Sequence, residues 1–247
     1  MCRKVFSMMR QFFKVVFWVG LAAVIILGGF VTWVFLNRRL DRISLIRPWF
    51  DNPAAHQDWL VEGGQYCPGA PMLFPSDGFI GVGWGDGTPP MYEHTGYDIF
   101  SPAGGDNITP IYAAYDGYLT RETTWRSTVI IRHPDFDQLP EITGGQQIWT
   151  YYTHMASADG ETIYVSADFP KGTREKFVEA GTLLGYQGTW SGRLNDPVGL
   201  HLHFSIPVTV DGGGYANETM IENTLNPAPF LGIEEGEDGI LRCKSAQ

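Results

Sequence analysis

Two histidines separated by one leucine, His201 and His203, occur in the stretch "GLHLHFSIPV". The residues around them alternate between apolar and polar, which predicts a β-strand. Side chains at positions i and i+2 of a strand point to the same face, so both imidazoles are expected side by side. Imidazole can bind a metal ion or move a proton near neutral pH. Taken alone, the pair is equally compatible with an exposed strand face that has no role.

Three further residues offer the same chemistry: His94 and Asp98 in "YEHTGYDIF", and His154 in "TYYTHMAS". In an extended strand His94 and Asp98 would lie about 13 Å apart, too far to share one metal ion. The chain must therefore bend between them, and Gly96 allows a bend. A catalytic zinc commonly takes three protein ligands and keeps one position open. Five candidates supply three ligands and two groups for proton transfer, but spacing alone does not say which three bind.

The elements that position these residues are predicted to be strands. Apolar and aromatic runs recur from about residue 71 onward, often with glycine between them: "PIYAAYDGYLT", "STVIIRH", "QQIWTYYTHMA" and "GTLLGYQGTW". This pattern favours an all-β domain over residues 71–232, either a compact sandwich or a partly closed barrel. Residues 37–70 are expected to form a tether, in which a short helix is followed by stretches with loop chemistry, and residues 233–247 a polar tail.

The N-terminal region is predicted to lie in a membrane. Residues 15–36 form an uncharged apolar run, long enough to cross a bilayer as a helix. No small-x-small cleavage site closes the run, so an uncleaved transmembrane helix is favoured over a signal peptide. Basic residues flank both ends of the run, and the positive-inside rule therefore gives no orientation.

Charge and cysteine content narrow the function classes. Residues 49–247 hold nine basic and 26 acidic residues, a formal charge of −17, which argues against nucleic acid as a ligand. Cys67 and Cys243 lie near the two ends of the soluble part. They are expected either to pair in an oxidising compartment or to remain as two thiols.

The ordered motifs "HTGYD", "YYTHM" and "HLHF" resemble those of the lysostaphin/LytM-type zinc endopeptidases, metallopeptidase family twenty-three. These enzymes cut peptide cross-links in bacterial peptidoglycan. The segments "VIIRH" and "VEAGTLLGYQGTWSG" match as well, and the resemblance covers roughly residues 71–210. It implies a compact β domain with an open groove. It also implies that His94, Asp98 and His203 bind Zn²⁺, and that His154 and His201 are catalytic histidines outside the ligand set.

The resemblance also implies a location and partners. The substrates would be peptidoglycan peptides, so the domain would lie outside the cytoplasmic membrane with residues 1–14 in the cytoplasm. Arg38, Arg39 and Arg42 are then expected near anionic lipid head groups. Five aromatic residues are candidates for the groove, although most are expected to be core residues: Trp149, Tyr151, Tyr152, Tyr186 and Trp190.

Two other functions compete with an active peptidase. A catalytically inactive relative could bind or activate another cell-wall hydrolase, but such relatives usually lose ligands, and here all five positions are occupied. An adaptor subunit built on a barrel-sandwich hairpin would match "AAYDGYLT" and "VEAGTLLGYQG". It would typically carry coiled-coil heptads, which this sequence lacks, and it would leave the five candidate residues unexplained.

Overall fold

A computed structural model describes residues 2–36, 42–89 and 91–245. The chain divides into two compact units. The first contains helix α1 (Cys2–Leu36) and the segment 87–92. Within the described residues, one helix is long and apolar enough to span a membrane: the part Lys14–Trp33 has a mean hydropathy of 2.4. The predicted apolar helix is therefore present, and its composition fits either a membrane anchor or a signal sequence.

The second unit is a β domain, as the sequence predicts, and it contains all the described strands except Gly87–Thr88 and the first residue of Tyr92–Glu93, which fall in the first unit. The fourteen described strands, β1 to β14 in chain order, are Phe79–Val82, Gly87–Thr88, Tyr92–Glu93, Tyr97–Phe100, Pro110–Tyr112, Gly117–Thr120, Val129–His133, Ile148–Thr153, Lys176–Val178, Leu183–Tyr186, His201–Pro207, Thr224–Leu225, Ile233–Glu235 and Leu241–Cys243. Three short helices, α2 to α4, are Ile43–Asp51, Pro140–Thr143 and Ala228–Leu231, and two 3₁₀ segments are Pro53–Trp59 and Ile221–Asn223.

The main sheet has the strand order β1-β4-β11-β8-β7-β6-β9, and β12 pairs with β11. The described strands of this sheet pair in antiparallel fashion, and β11 lies between β4 and β8. A smaller sheet of β5 and β10 contributes Ile111 and Leu184 to the same buried cluster as Ile131 and Phe204 of the main sheet. Apolar side chains from both sheets thus form one core, and the prediction of an all-β domain is confirmed.

The segment predicted as a tether differs from that expectation. From residue 42 onward it packs on the β domain, through α2 and the 3₁₀ segment Pro53–Trp59. Trp49 is fully buried against Phe79, and its indole N–H donates to the carbonyls of Phe100 and Ser101. Burial of a large aromatic side chain with its polar atom satisfied stabilises a fold by several kcal/mol, which outweighs the loop-like composition of the segment.

Arg42 also differs from its predicted place beside lipid head groups. Its guanidinium lies 2.6 Å from Asp86 and 3.0 Å from Glu235, and its side chain is only 12% exposed. An arginine held by two carboxylates inside the domain is not available to a lipid surface. Arg38 and Arg39, for which the same prediction was made, lie outside the described residues.

The C-terminal segment, predicted as a polar tail, contains two strands, Ile233–Glu235 and Leu241–Cys243. Strands β13 and β14 pair as a hairpin, and Ile240 and Leu241 are buried. Cys243 forms a disulfide with Cys67, at a sequence separation of 176. Of the two states open for these cysteines, the structure has the bridged one, which ties the two ends of the domain together.

Candidate metal centre

The pairing of β4 with β11 places Asp98 directly beside His203. These strands are antiparallel neighbours in the middle of the main sheet, so directly opposite residues lie about 5 Å apart. His201 is two residues before His203 on the same face of β11, and it is therefore diagonal to Asp98. The expectation that both histidines of "HLHF" share one face is met in this strand.

His94 reaches the same place because the chain turns between β3 and β4. The turn lies against β11: a β-carbon built on Gly96 would be 2.2 Å from the carbonyl oxygen of Phe204. Gly96 is thus needed for close approach of two backbones and not for a left-handed backbone angle, since its φ lies outside the positive range. The predicted bend exists, with a different physical reason for the glycine.

The three predicted ligands meet at one point. Nε2 of His94 lies 3.0 Å from Oδ1 of Asp98 and 3.1 Å from Nδ1 of His203, and Nδ1 of His203 lies 2.9 Å from the same Oδ1. Two ligands about 2.0–2.1 Å from a tetrahedral zinc ion are about 3.3 Å apart. The three atoms therefore have nearly the spacing that such an ion requires.

Each of the two histidine rings, His94 and His203, has a second nitrogen that faces an oxygen atom outside the cluster. These outer contacts favour a lone pair on the nitrogen that points into the cluster. Nδ1–H of His94 donates to the carbonyl of Gly83 at 3.0 Å, so the neutral ring has a bare Nε2. Nε2 of His203 faces Glu218 at 3.5 Å, which favours a proton there and a bare Nδ1. Two bare nitrogens and a carboxylate oxygen in mutual contact repel each other unless a cation or a proton lies between them. The donor set fits a zinc ion, whose ligating histidines usually have such outer partners.

The electrostatics of Asp98 favour its ionised form. Burial opposes ionisation, but the charges of His94 and His201 and hydrogen bonds from His201 and His203 outweigh burial and hold the pKa of Asp98 well below its usual value. The pKa of His203 is shifted upward, whereas burial alone would shift the pKa of a histidine downward. Burial lowers its pKa, yet the hydrogen bonds to Asp98 and Glu218 raise it overall to about 10 in the metal-free protein.

His154 and His201 lie beside the three ligands with one ring nitrogen directed away from the site. Nδ1–H of His154 donates to the carbonyl of Trp190 at 2.7 Å, and Nδ1–H of His201 donates to that of Gly199 at 2.6 Å. Their ring centroids are 4.6 Å apart, and His154 has a φ of +74° just after β8. Burial and the neighbouring histidines lower the pKa of His154 to about 3, so its ring is neutral near pH 7.

A cavity of about 380 Å³ adjoins this cluster. Among its lining residues are His154, Trp125, Tyr151, Trp190 and Glu218. Tyr151 and Trp190 thus line the cavity as predicted for groove aromatics. The other three candidates do not line it: Trp149, Tyr152 and Tyr186.

Trp149 and Tyr152 are buried instead, and the hydroxyl of Tyr152 accepts from the main-chain N–H of Ala114. Sequence reasoning missed Trp125 and Glu218. Neither stands in a motif that signals a site, and both lie on loops.

Comparison with known proteins returned matches among solved structures. No family model matches the chain, and no curated protein matches it. The solved structures that resemble the chain include lysostaphin- and LytM-type peptidases. A LytM protein of Ruminococcus gnavus, named as a glycyl-glycine endopeptidase, is 24% identical over 55% of this chain and 45% of its own length, with a TM-score of 0.35. This chain thus spans less than half of that protein.

Two further matches have similar scores. The catalytic domain of the antimicrobial peptidase lysostaphin from Staphylococcus simulans is 17% identical over 71% of this chain and 93% of that one, with a TM-score of 0.36. A zinc-containing peptidase from Vibrio cholerae is 18% identical over 66% and 39%, with a TM-score of 0.35. TM-scores below 0.5 assign no function by themselves, so the chemistry of this chain is argued from its own site.

Proposed function

We propose that this chain is a zinc metalloendopeptidase that hydrolyses peptide bonds in peptidoglycan cross-links or stem peptides. The observation that carries the proposal is the convergence of three atoms, His94 Nε2, Asp98 Oδ1 and His203 Nδ1, which lie 2.9–3.1 Å from one another. In both histidines the other ring nitrogen faces an oxygen atom outside the cluster. His94, Asp98 and His203 would hold the ion. When bound, zinc supplies Lewis-acid chemistry at a scissile carbonyl.

His154 and His201 would handle protons. Each donates its Nδ1–H to a main-chain carbonyl, so Nε2 is the nitrogen available for proton exchange. In His201 this Nε2 lies 3.4 Å from Oδ1 of Asp98, which places it directly beside the proposed ligands. A neutral histidine here can accept the proton of an attacking water molecule, and the protonated ring can donate to an oxygen that gains negative charge. Trp125, Tyr151 and Trp190 would form walls for the substrate next to these groups.

The substrate class and the location rest on the motif resemblance. Peptidoglycan lies outside the cytoplasmic membrane, so the proposal places the β domain there, with α1 as a single-pass anchor and residues 1–14 in the cytoplasm. The apolar stretch Lys14–Trp33 supports an anchor by its length and composition. Inactive relatives that bind another hydrolase usually lose one of these groups, whereas all five are clustered here, which supports the active enzyme over that alternative.

The test combines metal analysis with digestion of purified peptidoglycan by the full-length protein in detergent. We expect one zinc ion per chain and release of new amino termini from the peptide part of the wall. His203→Ala should lose both the zinc and the activity, while His56→Ala, a histidine outside the cluster, should keep both. Zinc binding without cleavage would favour the inactive relative, and full zinc occupancy in the His203→Ala protein would overturn the ligand set.

A further inference from the structure

One histidine of the centre is oriented differently from the other three. His94, His154 and His201 each donate Nδ1–H to a main-chain carbonyl. His203 uses Nδ1 towards Asp98, and its Nε2 faces a side chain, the carboxylate of Glu218, at 3.5 Å. The Nε2 edge of this ring thus faces an acidic side chain from another part of the chain, where the other three rings have a main-chain partner.

The turn that carries Glu218 is held in place by hydrogen bonds among the residues around it. The side-chain oxygen of Asn217 accepts from the main-chain N–H and the hydroxyl of Thr219, at 3.2 and 2.9 Å. The side-chain amide of Asn223 donates to the carbonyl of Asn217 at 2.9 Å. The Glu218 side chain is 18% exposed, at the wall of the cavity beside His154. A carboxylate in a fixed turn and largely shielded from water has a well-defined direction.

Glu218 faces the ring nitrogen that points away from the other two ligands. Oδ1 of Asp98 and Nε2 of His94 both contact Nδ1 of His203, whereas Glu218 contacts Nε2. The two nitrogens lie on different edges of the imidazole ring. Glu218 is therefore placed to act on the metal through His203, and not as a fourth ligand.

We propose that Glu218 is a positioning residue for the zinc ligand His203. It accepts the Nε2–H of His203, which fixes the tautomer with a bare Nδ1, and its negative charge makes that nitrogen a stronger donor. The inference rests on the proposed zinc site. Loss of such an outer carboxylate typically weakens metal binding by 10- to 100-fold.

The experiment measures zinc affinity of the full-length protein by competition with a chromophoric chelator at fixed pH. Glu218→Ala removes the carboxylate, and Glu218→Gln keeps its shape without the charge. Glu222→Ala is the matched control, because Glu222 is exposed in the same part of the chain and outside the cavity. We expect zinc dissociation constants about 10–100 times higher for Glu218→Ala, a smaller increase for Glu218→Gln, and no change for Glu222→Ala.

A second readout separates positioning from a structural role. In the cobalt-substituted protein, the visible absorption bands report the ligand field, and Glu218→Gln should shift them while the far-ultraviolet dichroism stays unchanged. Wild-type affinity in Glu218→Ala, with unshifted cobalt bands in Glu218→Gln, would overturn the role of Glu218 and leave the zinc site intact. Absence of zinc from the wild-type protein would instead overturn the proposed function on which the inference depends.

Discussion

Replacement of Gly96 by alanine should damage the metal centre without touching any ligand. The new β-carbon would lie 2.2 Å from the carbonyl oxygen of Phe204, and real β-carbons keep at least 3.0 Å from such atoms. The turn that carries His94 must therefore move away from β11 by about 0.8 Å. Phe204 is paired with Tyr97, and the next pair is Asp98 with His203, so the shift occurs beside the ligands.

The size of the effect follows from the tolerance of metal binding. Zinc–ligand distances are held within about 0.2 Å, which is smaller than the required movement. A misplacement near 1 Å costs on the order of 100-fold in rate at an active site, and we expect a loss of the same order in zinc affinity. We expect Gly96→Ala to bind zinc about 100-fold more weakly. Overpacking of a close contact should also lower the free energy of unfolding by about 1–3 kcal/mol.

The assay is chelator competition for zinc affinity, with thermal unfolding of the metal-free protein measured in parallel. Gly104→Ala is the matched control, since a β-carbon there meets nothing within 4 Å and the backbone angle is ordinary. The control should match the wild type in both measurements. If Gly96→Ala binds zinc as tightly as the wild type, close approach of the two backbones does not set the site geometry, and the reasoning is refuted.

The remaining predictions concern catalysis, stability and topology. His154→Ala and His201→Ala should retain zinc but lose about 10²–10⁴-fold in turnover; cleavage at the parental rate by both proteins would refute their catalytic role. Burial lowers the pKa of His133 to about 4. Between about pH 6.5 and pH 4, His133 is therefore protonated in the unfolded chain but neutral in the folded chain. Its contribution to stability is therefore full above pH 6.5 and falls by about 1.4 kcal/mol per pH unit towards pH 4. When the free energy of unfolding is measured with urea at several pH values, it should change less between pH 6 and 5 in His133→Gln than in the wild type. An equal change in both proteins would show that His133 is not the source of the pH dependence. Protease added to intact spheroplasts should digest the β domain and spare residues 1–14; a domain protected until lysis would reverse the topology.

The strands and the five clustered residues were accessible to sequence reasoning for a physical reason. Alternation of apolar and polar residues in "GLHLHFSIPV" reflects one face against the core and one towards the site. The resemblance of the ordered motifs to a peptidase family then suggested a role for each of the five residues, and these roles stay predictions. For His94 and Asp98, the sequence predicted that the chain must bend between them, but not how the bend is fixed. The bend is fixed by the contact between Gly96 and Phe204, which are far apart in sequence.

Packing of the segment 42–59 could not be predicted from its composition. Proline, asparagine and glycine near "DNPAAHQ" are typical of loops, and a short helix with one tryptophan carries little periodic signal. Burial of Trp49 against Phe79 depends on a surface formed elsewhere in the chain. Glu218 was missed for a similar reason, since nothing in the sequence around it indicates that its turn lies beside His203.

The packed segment has a direct connection to the first ligand. Arg42 contacts both carboxylate oxygens of Asp86, at 2.6 and 3.2 Å. The same carboxylate accepts the main-chain N–H of Gly83 at 2.6 Å, and the carbonyl of Gly83 accepts the Nδ1–H of His94. The carbonyl of Gly83 is a backbone group that any residue type would supply, so the sequence pattern does not indicate this contact. Arg42, which the sequence pattern assigned to a tether, therefore belongs to the packed unit that orients the ring of His94.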